Sequence, residues 1–161
     1  GEDCRILMGL RASGLAQGLY VLPGGTPLPN ESVQSCATRE VFEETRLRVT
    51  GSQPISLFLT SFVNRPRAMN VVIWAREYEG EVRNPEPWNF VEWKWVPLGA
   101  VSRRNPVSVF PPAATAIEDF RVRRHGHLQW SDIEKNYSIS PLTETRKPGI
   151  VYLPLPFWEE R

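Results

Sequence analysis

The stretch from Gly24 to Leu47 limits most strongly what this chain can fold into, because it contains four glutamates within fourteen residues: Glu31, Glu40, Glu43 and Glu44. In a helix, Glu40 and Glu44 lie one turn apart on the same face, with Glu43 beside them. Like charges at this spacing destabilise a helix by about 0.2–0.5 kcal/mol. A hard divalent cation such as Mg²⁺ removes that repulsion, since it binds carboxylate and phosphate oxygens together. The stretch therefore indicates phosphate chemistry.

Periodicity and turn residues predict a mixed α/β order for the whole chain. Strands are predicted over residues 5–11, 19–22, 56–64, 69–78 and 91–97, and helices over 31–45 and 113–124. Asn30 is the predicted N-cap of the first helix, and Pro66 marks a turn between the third and fourth strands. Prolines recur after residue 124 without a convincing period. We therefore expect a domain over residues 1–124 and an extension over 125–161 that packs on the domain or on a partner.

The spacing of the acidic stretch resembles the signature of the Nudix hydrolases. In that signature a glutamate follows a glycine by six residues, and Arg-Glu-hydrophobic-any-Glu-Glu-any-Gly-hydrophobic comes after it. Matching positions are held by Gly25, Glu31, Arg39, Glu40, Val41, Glu43, Glu44 and Leu47. A loose run of acids usually forms a solvated helix face, but matches at fixed spacing favour the family. The one departure is Arg46, which stands where the family has a glycine. The resemblance implies an α/β/α sandwich with a mixed sheet, followed here by an extended C-terminal arm.

The resemblance also implies a reaction and a cofactor. Water would attack a phosphorus of a nucleoside diphosphate linked to a further group, with positioning and charge stabilisation as the main work of the protein. Glu40 and Glu44 match the family's ligands for Mg²⁺, with Mn²⁺ as an alternative ion, and the Gly24 carbonyl matches a backbone ligand. Glu40, Glu43 and Glu44 are the predicted catalytic carboxylates.

Two further residues of the signature are expected to hold these carboxylates in place. Arg39 lies four residues before Glu43, at ion-pair spacing, and the resemblance implies that it orients the carboxylates together with Glu31. Outside the signature, both Glu86 and Glu92 are candidates for the general base. Within it, Glu43 is a candidate to bind a second ion or to help activate water.

Beyond the signature, residues 5–97 are similar to the MutT-like branch of the family, which includes nucleotide triphosphate diphosphatases. This similarity implies that Arg11 lies near the substrate phosphates and that Gly24 and Gly25 approach the substrate. Val21 and Val72 stand where relatives carry residues that contact the base. An apolar wall forms no hydrogen bonds with a base, so we expect weak base selectivity. Features of the subfamilies for ADP-ribose, dinucleoside polyphosphates and coenzyme A are missing, which leaves nucleoside triphosphates as the expected substrates.

Composition excludes several other classes of protein. The chain has 161 residues, a net charge of +1 and an ordinary share of apolar residues, as expected for one cytoplasmic globular domain. No run approaches the roughly 20 apolar residues that a membrane span needs, and the charge gives no reason to expect nucleic-acid binding. Cys4 and Cys36 form no metal or disulfide pattern. The expected partner is a small nucleotide, and a homodimer is one arrangement that the extension allows.

Two other functions stay open from the residues alone. One is a Nudix-fold module that binds or assembles without turnover, since a fold can outlast its activity. The other is a Nudix enzyme for a diphosphate that is not a nucleotide. Among the aromatic residues, Trp93 and Trp95 are predicted to lie in the core, whereas Trp88 is a loop residue that is able to stack on a base. The family usually has a further strand before residue 5, so we expect that this chain begins late.

Overall fold

The structure, a computed structural model, describes residues 4–60, 67–101, 108–123, 149–150 and 158–159. Its strands are β1 (Arg5–Arg11), β2 (Tyr20–Val21), β3 (Arg48–Thr60), β4 (Ala68–Glu79), β5 (Phe90–Pro97), β6 (Gly149–Ile150) and β7 (Trp158–Glu159). Its helices are α1 (Val33–Thr45) and α2 (Pro111–Arg123), with a single 3-10 turn over Leu98–Ala100. No helix in the described ranges is long and apolar enough to cross a membrane.

β1 is the central strand of the first sheet. It pairs with β5 along its whole length, and its other edge pairs with β2 at Gly9 and Leu10 and with β7 at Arg5 and Ile6, all antiparallel. A Cβ atom at Gly9 would lie within 2.9 Å of the rings of Trp93 and Phe90. Glycine is therefore required at this position, where the two aromatic rings pack against the sheet.

The second sheet is built on a long hairpin. β3 and β4 pair antiparallel, and β6 adds to β4 in parallel, so this sheet is the mixed one. β3 begins at Arg48, eight residues before the predicted start at Ser56. The ladder accommodates Gly51 and Pro54 through register shifts beside each of them. Such bulges allow strand pairing to continue through residues that usually end a strand.

The two faces of β1 face different helices. Ile6 and Met8 pack in a cluster of buried side chains with Phe120 and other residues of α2. Leu7 points to the opposite face, as alternation along a strand requires, and packs with Val41 and other residues of α1. The helices therefore cover opposite sides of the strands, which confirms the predicted α/β/α arrangement.

Several predicted boundaries hold, whereas the predicted start and N-cap of α1 are wrong. The first strand and the end of α1 at Thr45 are as predicted. However, Asn30 is not the N-cap, because it lies in the left-handed region with φ 66°. Ser32 caps α1 instead, and its hydroxyl accepts a hydrogen bond from the Ser35 N–H at 3.1 Å. Both residues are good N-caps by type, so the sequence alone does not separate them.

Pro66, which marks the predicted turn, and most of the predicted extension lie outside the described residues. Within the extension, the backbones of β6 and β7 pair with β4 and β1 respectively.

Candidate active site

A glycine turn between β2 and α1 is fitted closely to two carboxylates of the helix. Gly24 has φ 141°, a backbone conformation that favours glycine, and its N–H donates to Oε2 of Glu44 at 2.8 Å. A Cβ atom at Gly25 would lie within 2.7 Å of both carboxylate oxygens of Glu40. The absence of side chains at these two positions therefore lets the loop rest directly on Glu40 and Glu44.

The Arg39 guanidinium joins three carboxylates. It binds Glu31 through two hydrogen bonds of 2.9 Å, Glu40 at 2.8 Å and Glu43 at 3.0 Å. It also donates to the carbonyl of Thr26 at 3.2 Å, in the loop before the helix. The hydrogen bonds from Arg39 lower the pKa of Glu31 to about 2, and those carboxylates in turn raise the pKa of Arg39. Arg39 thus fixes the direction of Glu40 and Glu43 and ties the loop to the helix.

Among the described residues, Glu44 is the carboxylate that is least accessible to water. Its residue is 7% exposed, and burial raises its pKa to about 8, with smaller contributions from the negative charges of Glu40 and Glu86. The Gly24 N–H and the positive charge of Arg11 lower that pKa in part. Burial also raises the pKa of Glu40. Burial is therefore the main reason that both carboxyl groups hold their protons more tightly than usual.

The two candidates for the general base lie in different surroundings. Glu86 is close enough to Glu44 to raise the pKa of Glu44, and it accepts a hydrogen bond from the Asn89 side chain at 2.8 Å. Glu92 instead accepts a hydrogen bond from the Tyr20 hydroxyl at 2.6 Å and pairs with Lys94 at 3.2 Å. These contacts lower the pKa of Glu92.

Tyr20 is a residue whose role the sequence did not predict. The register of the first sheet explains its position, because Tyr20 and Glu92 both pair with Leu10, one from each side of β1. Residues aligned in this way share one face of the sheet. The contact between Tyr20 and Glu92 can be predicted only when the order of the strands in the sheet is known.

A family model for the NUDIX domain matches residues 1–120. This match covers most of the chain. The chain belongs to the NUDIX family. The predicted family is confirmed, and with it the assignment of the chain as a Nudix hydrolase.

Solved structures show the same fold. A MutT NUDIX hydrolase from Burkholderia pseudomallei is 24% identical, with a TM-score of 0.64 over 71% of this chain and 87% of that chain. A MutT protein from Methanosarcina mazei Go1 is 21% identical, with a TM-score of 0.62 over 74% and 85% of the two chains. The NUDIX domain of Shewanella oneidensis NrtR, in complex with ADP ribose, is 21% identical, with a TM-score of 0.58 over 74% and 77%.

The residues of the Nudix signature fit a hard divalent cation by their chemistry. Among the described residues, no three His, Cys, Asp or Glu side chains are arranged as a preformed metal site. The available donors are nevertheless all oxygens, and buried Glu44 lies beside the like charges of Glu40 and Glu86. Hard cations prefer oxygen ligands and compensate such a charge. The identity of the ion stays a prediction.

The predicted substrate residues do not all meet at one place. Arg11 lies over the Phe90 ring at 4.9 Å and lowers the pKa of Glu44 by its charge, so it belongs to the site. Val21 is 8% exposed and packs beside Phe90, whereas Val72 is fully buried in the separate cluster under α2. The structure therefore does not bring the two valines together into one wall.

The tryptophans differ in their exposure. Trp93 and Trp95 are half-buried and pack against the cluster under α1, so they cover the core rather than lie within it. Trp88 is 67% exposed, in the same loop as Glu86. Its ring is free of the core and accessible from solvent on the loop that adjoins the candidate active site.

Proposed function

We propose that this Nudix hydrolase uses Mg²⁺ to hydrolyse nucleoside diphosphates linked to a further group, with nucleoside triphosphates as its main substrates. The observation that carries the proposal is the environment of Glu44. A buried carboxylate with a pKa near 8, fixed by a glycine turn and beside further carboxylates, destabilises the protein on its own. A cation that arrives with its substrate would account for such an arrangement.

Glu40, Glu44 and the carbonyl of Gly24 are the residues that would hold the ion. When bound, a divalent cation neutralises charge on the phosphate oxygens. Arg39 supports the proposal because it restrains Glu40 through a hydrogen bond of 2.8 Å. Arg11 supplies a positive charge near Glu44 for the substrate phosphates.

Glu86 is the general base in this proposal. It adjoins Glu44, and among the described residues its one side-chain partner is Asn89. Glu92 is less suited, because its hydrogen bond from Tyr20 and its ion pair with Lys94 stabilise the charged form and make it a weaker base.

The experiment that tests the proposal is a substrate panel with Mg²⁺, with Mn²⁺ as the alternative ion, and chromatographic separation of the products as the readout. Nucleoside triphosphates should give monophosphate and pyrophosphate. ADP-ribose belongs in the panel because the NrtR domain carries it, and a non-nucleotide diphosphate represents the other class. The Glu44→Gln variant should lose at least about a hundredfold in kcat, as expected when an interaction worth about 2.7 kcal/mol is removed.

The general base is tested with a matched pair of variants. Glu86→Gln should reduce kcat strongly, whereas Glu92→Gln should leave it within a few fold. Full activity in excess chelator would refute the metal dependence. Tight binding of a nucleotide without turnover of any substrate would refute the enzyme and support a binding module instead.

The proposal also covers the location, the partner and the domain organisation of the protein. It is a cytoplasmic protein that has a small nucleotide as its partner and does not bind nucleic acid. Its chain divides into a domain over residues 1–124 and an extension over 125–161, with a homodimer as one arrangement of the extension.

A further inference from the structure

Arg46 has a conformation that its side chain does not favour. It is the residue that replaces the glycine of the Nudix signature, and it caps α1 in the left-handed region with φ 66°. Glycine adopts this conformation without strain, whereas a residue with a Cβ atom does not. Its backbone N–H donates to the Phe42 carbonyl at 3.0 Å, a bond that a glycine would also form. The end of the helix therefore does not require the arginine.

The Arg46 side chain instead lines a cavity of about 480 Å³ at the end of α1. The lining includes Phe42, Arg46, Arg48, Glu81, Arg83 and Asn84. This volume lies within the range of about 300–1,000 Å³ that is typical of small-molecule sites. Phe42 is two residues from both Glu40 and Glu44, which is about 200° around a helix. The cavity therefore opens on a different side of α1 from the predicted metal ligands.

The cavity is positively charged, and its arginines form no ion pairs within the described residues. The guanidinium groups of Arg46 and Arg48 lie over the Phe42 ring at 5.3 and 5.6 Å from its centroid, and Arg83 adds a third positive charge. Within the part of the chain that the structure describes, none of the three arginines forms an ion pair with a carboxylate. This holds although Glu81 lines the cavity and Glu79 faces Arg48 across the strand pair. Guanidinium groups that line one cavity suit an anion with several oxygens.

Asn84 adds a second, independent observation. Its side-chain amide donates to the Phe90 carbonyl at 2.8 Å, which fixes the orientation of the group. The other atom, Oδ1, is buried and has no hydrogen-bond partner in the described residues. Buried polar atoms are satisfied in the great majority of cases. Asn84 also lines the cavity, so a ligand that carries a hydroxyl or amino donor beside its anionic group would contact this residue.

We propose that this cavity binds a small organic diphosphate, of the nucleoside diphosphate class, at a site separate from the Nudix carboxylates. The phosphates contact Arg46, Arg48 and Arg83, and a donor of the organic part contacts Asn84. The backbone N–H of Arg83 donates to the Thr45 carbonyl at 2.8 Å, next to Glu44. The cavity and the candidate active site are thus joined through the end of α1 and the loop that carries Glu86.

The test is isothermal titration of ADP into the full chain in excess chelator. Without a cation, the carboxylates of the candidate active site repel an anion, so binding reports on the arginines. Arg46→Gly should weaken binding at least tenfold, about 1.4 kcal/mol, with an unchanged or raised melting temperature because the left-handed strain is relieved. Arg83→Ala should also weaken binding, since its backbone bond to Thr45 does not depend on the side chain.

Two control variants show whether ADP binds in this cavity or elsewhere on the protein. Arg76→Ala removes an exposed arginine that stacks on Trp74 outside the cavity, and it should leave the affinity within about twofold. Glu44→Gln should alter the affinity less than Arg46→Gly does, because that residue lies in the other site. The proposal is overturned if ADP does not bind at millimolar concentration, if Arg46→Gly binds as well as the wild type, or if Glu44→Gln alters the affinity more than Arg46→Gly does. None of these results depends on turnover, so the hydrolase proposal stands or falls separately.

Discussion

Replacement of Glu44 by glutamine should make the metal-free protein more stable at high pH and should change little at low pH. A carboxyl group with a folded pKa of about 8 and an ordinary pKa of 4.5 binds its proton more tightly in the folded state. The free energy of unfolding of the wild type therefore falls as pH rises above 4.5, and the full decrease is reached above pH 8. At about 1.4 kcal/mol per pKa unit, the full decrease reaches about 5 kcal/mol.

The assay is urea unfolding in excess chelator at about pH 5 and pH 9, on either side of the folded pKa. The measured quantity is the difference in free energy of unfolding between Glu44→Gln and the wild type. Most of the expected gain of about 5 kcal/mol should appear at the higher pH, when Glu44 would be charged. Titrations of groups that do not interact with Glu44 are common to both chains and cancel from this difference.

Glu43→Gln is the matched control, because it removes the same charge one residue away on the same helix. The Glu43 side chain is 49% exposed and pairs with Arg39 at 3.0 Å. Its removal should change stability by less than about 1 kcal/mol, the usual size for an exposed pair. If Glu44→Gln gains no more at pH 9 than at pH 5, burial of a charged carboxylate at that position is disproved.

Three further predictions use separate assays. Gly25→Ala should move the Glu40 carboxylate, which lies within 2.7 Å of the added methyl position, and should lower kcat at least about tenfold, or 1.4 kcal/mol, while circular dichroism shows an intact fold. Several nucleoside triphosphates should have kcat/KM within about a hundredfold of one another, because Val21, which packs beside Phe90 near Arg11, forms no hydrogen bond with a base; a ten-thousandfold preference would contradict this. Truncation after Gly126 should lower solubility or change the mass measured by light scattering, and unchanged values would show that the extension is dispensable.

The sequence was sufficient for the Nudix helix because the constraint there is local. Glu40 and Glu44 share a face by helix geometry alone, and the end of α1 at Thr45 follows from the same pattern. The start of α1 was missed because Asn30 and Ser32 are both suitable caps by residue type. A choice between them depends on the path of the preceding loop, which Arg39 holds through the Thr26 carbonyl.

Contacts between distant parts of the chain were harder to predict. The sequence offered Glu86 and Glu92 as equal candidates for the general base, and only the pairing of β1 with both β2 and β5 brings Tyr20 to Glu92. The early start of β3 was missed for a related reason. Gly51 and Pro54 are poor strand residues by type, but β4 pairs with them across bulges.

Helix α1 thus carries two arginines, Arg39 and Arg46, in different electrostatic environments. Arg39 is neutralised by three carboxylates, which lock each other in place and raise its pKa. Arg46, seven residues later, has no carboxylate partner among the described residues and keeps a strained backbone. Strain at a position where glycine would relieve it persists in proteins mainly where it serves a function. The difference between the two arginines therefore fits a division of roles in which Arg39 positions the catalytic carboxylates and Arg46 receives an anion from outside.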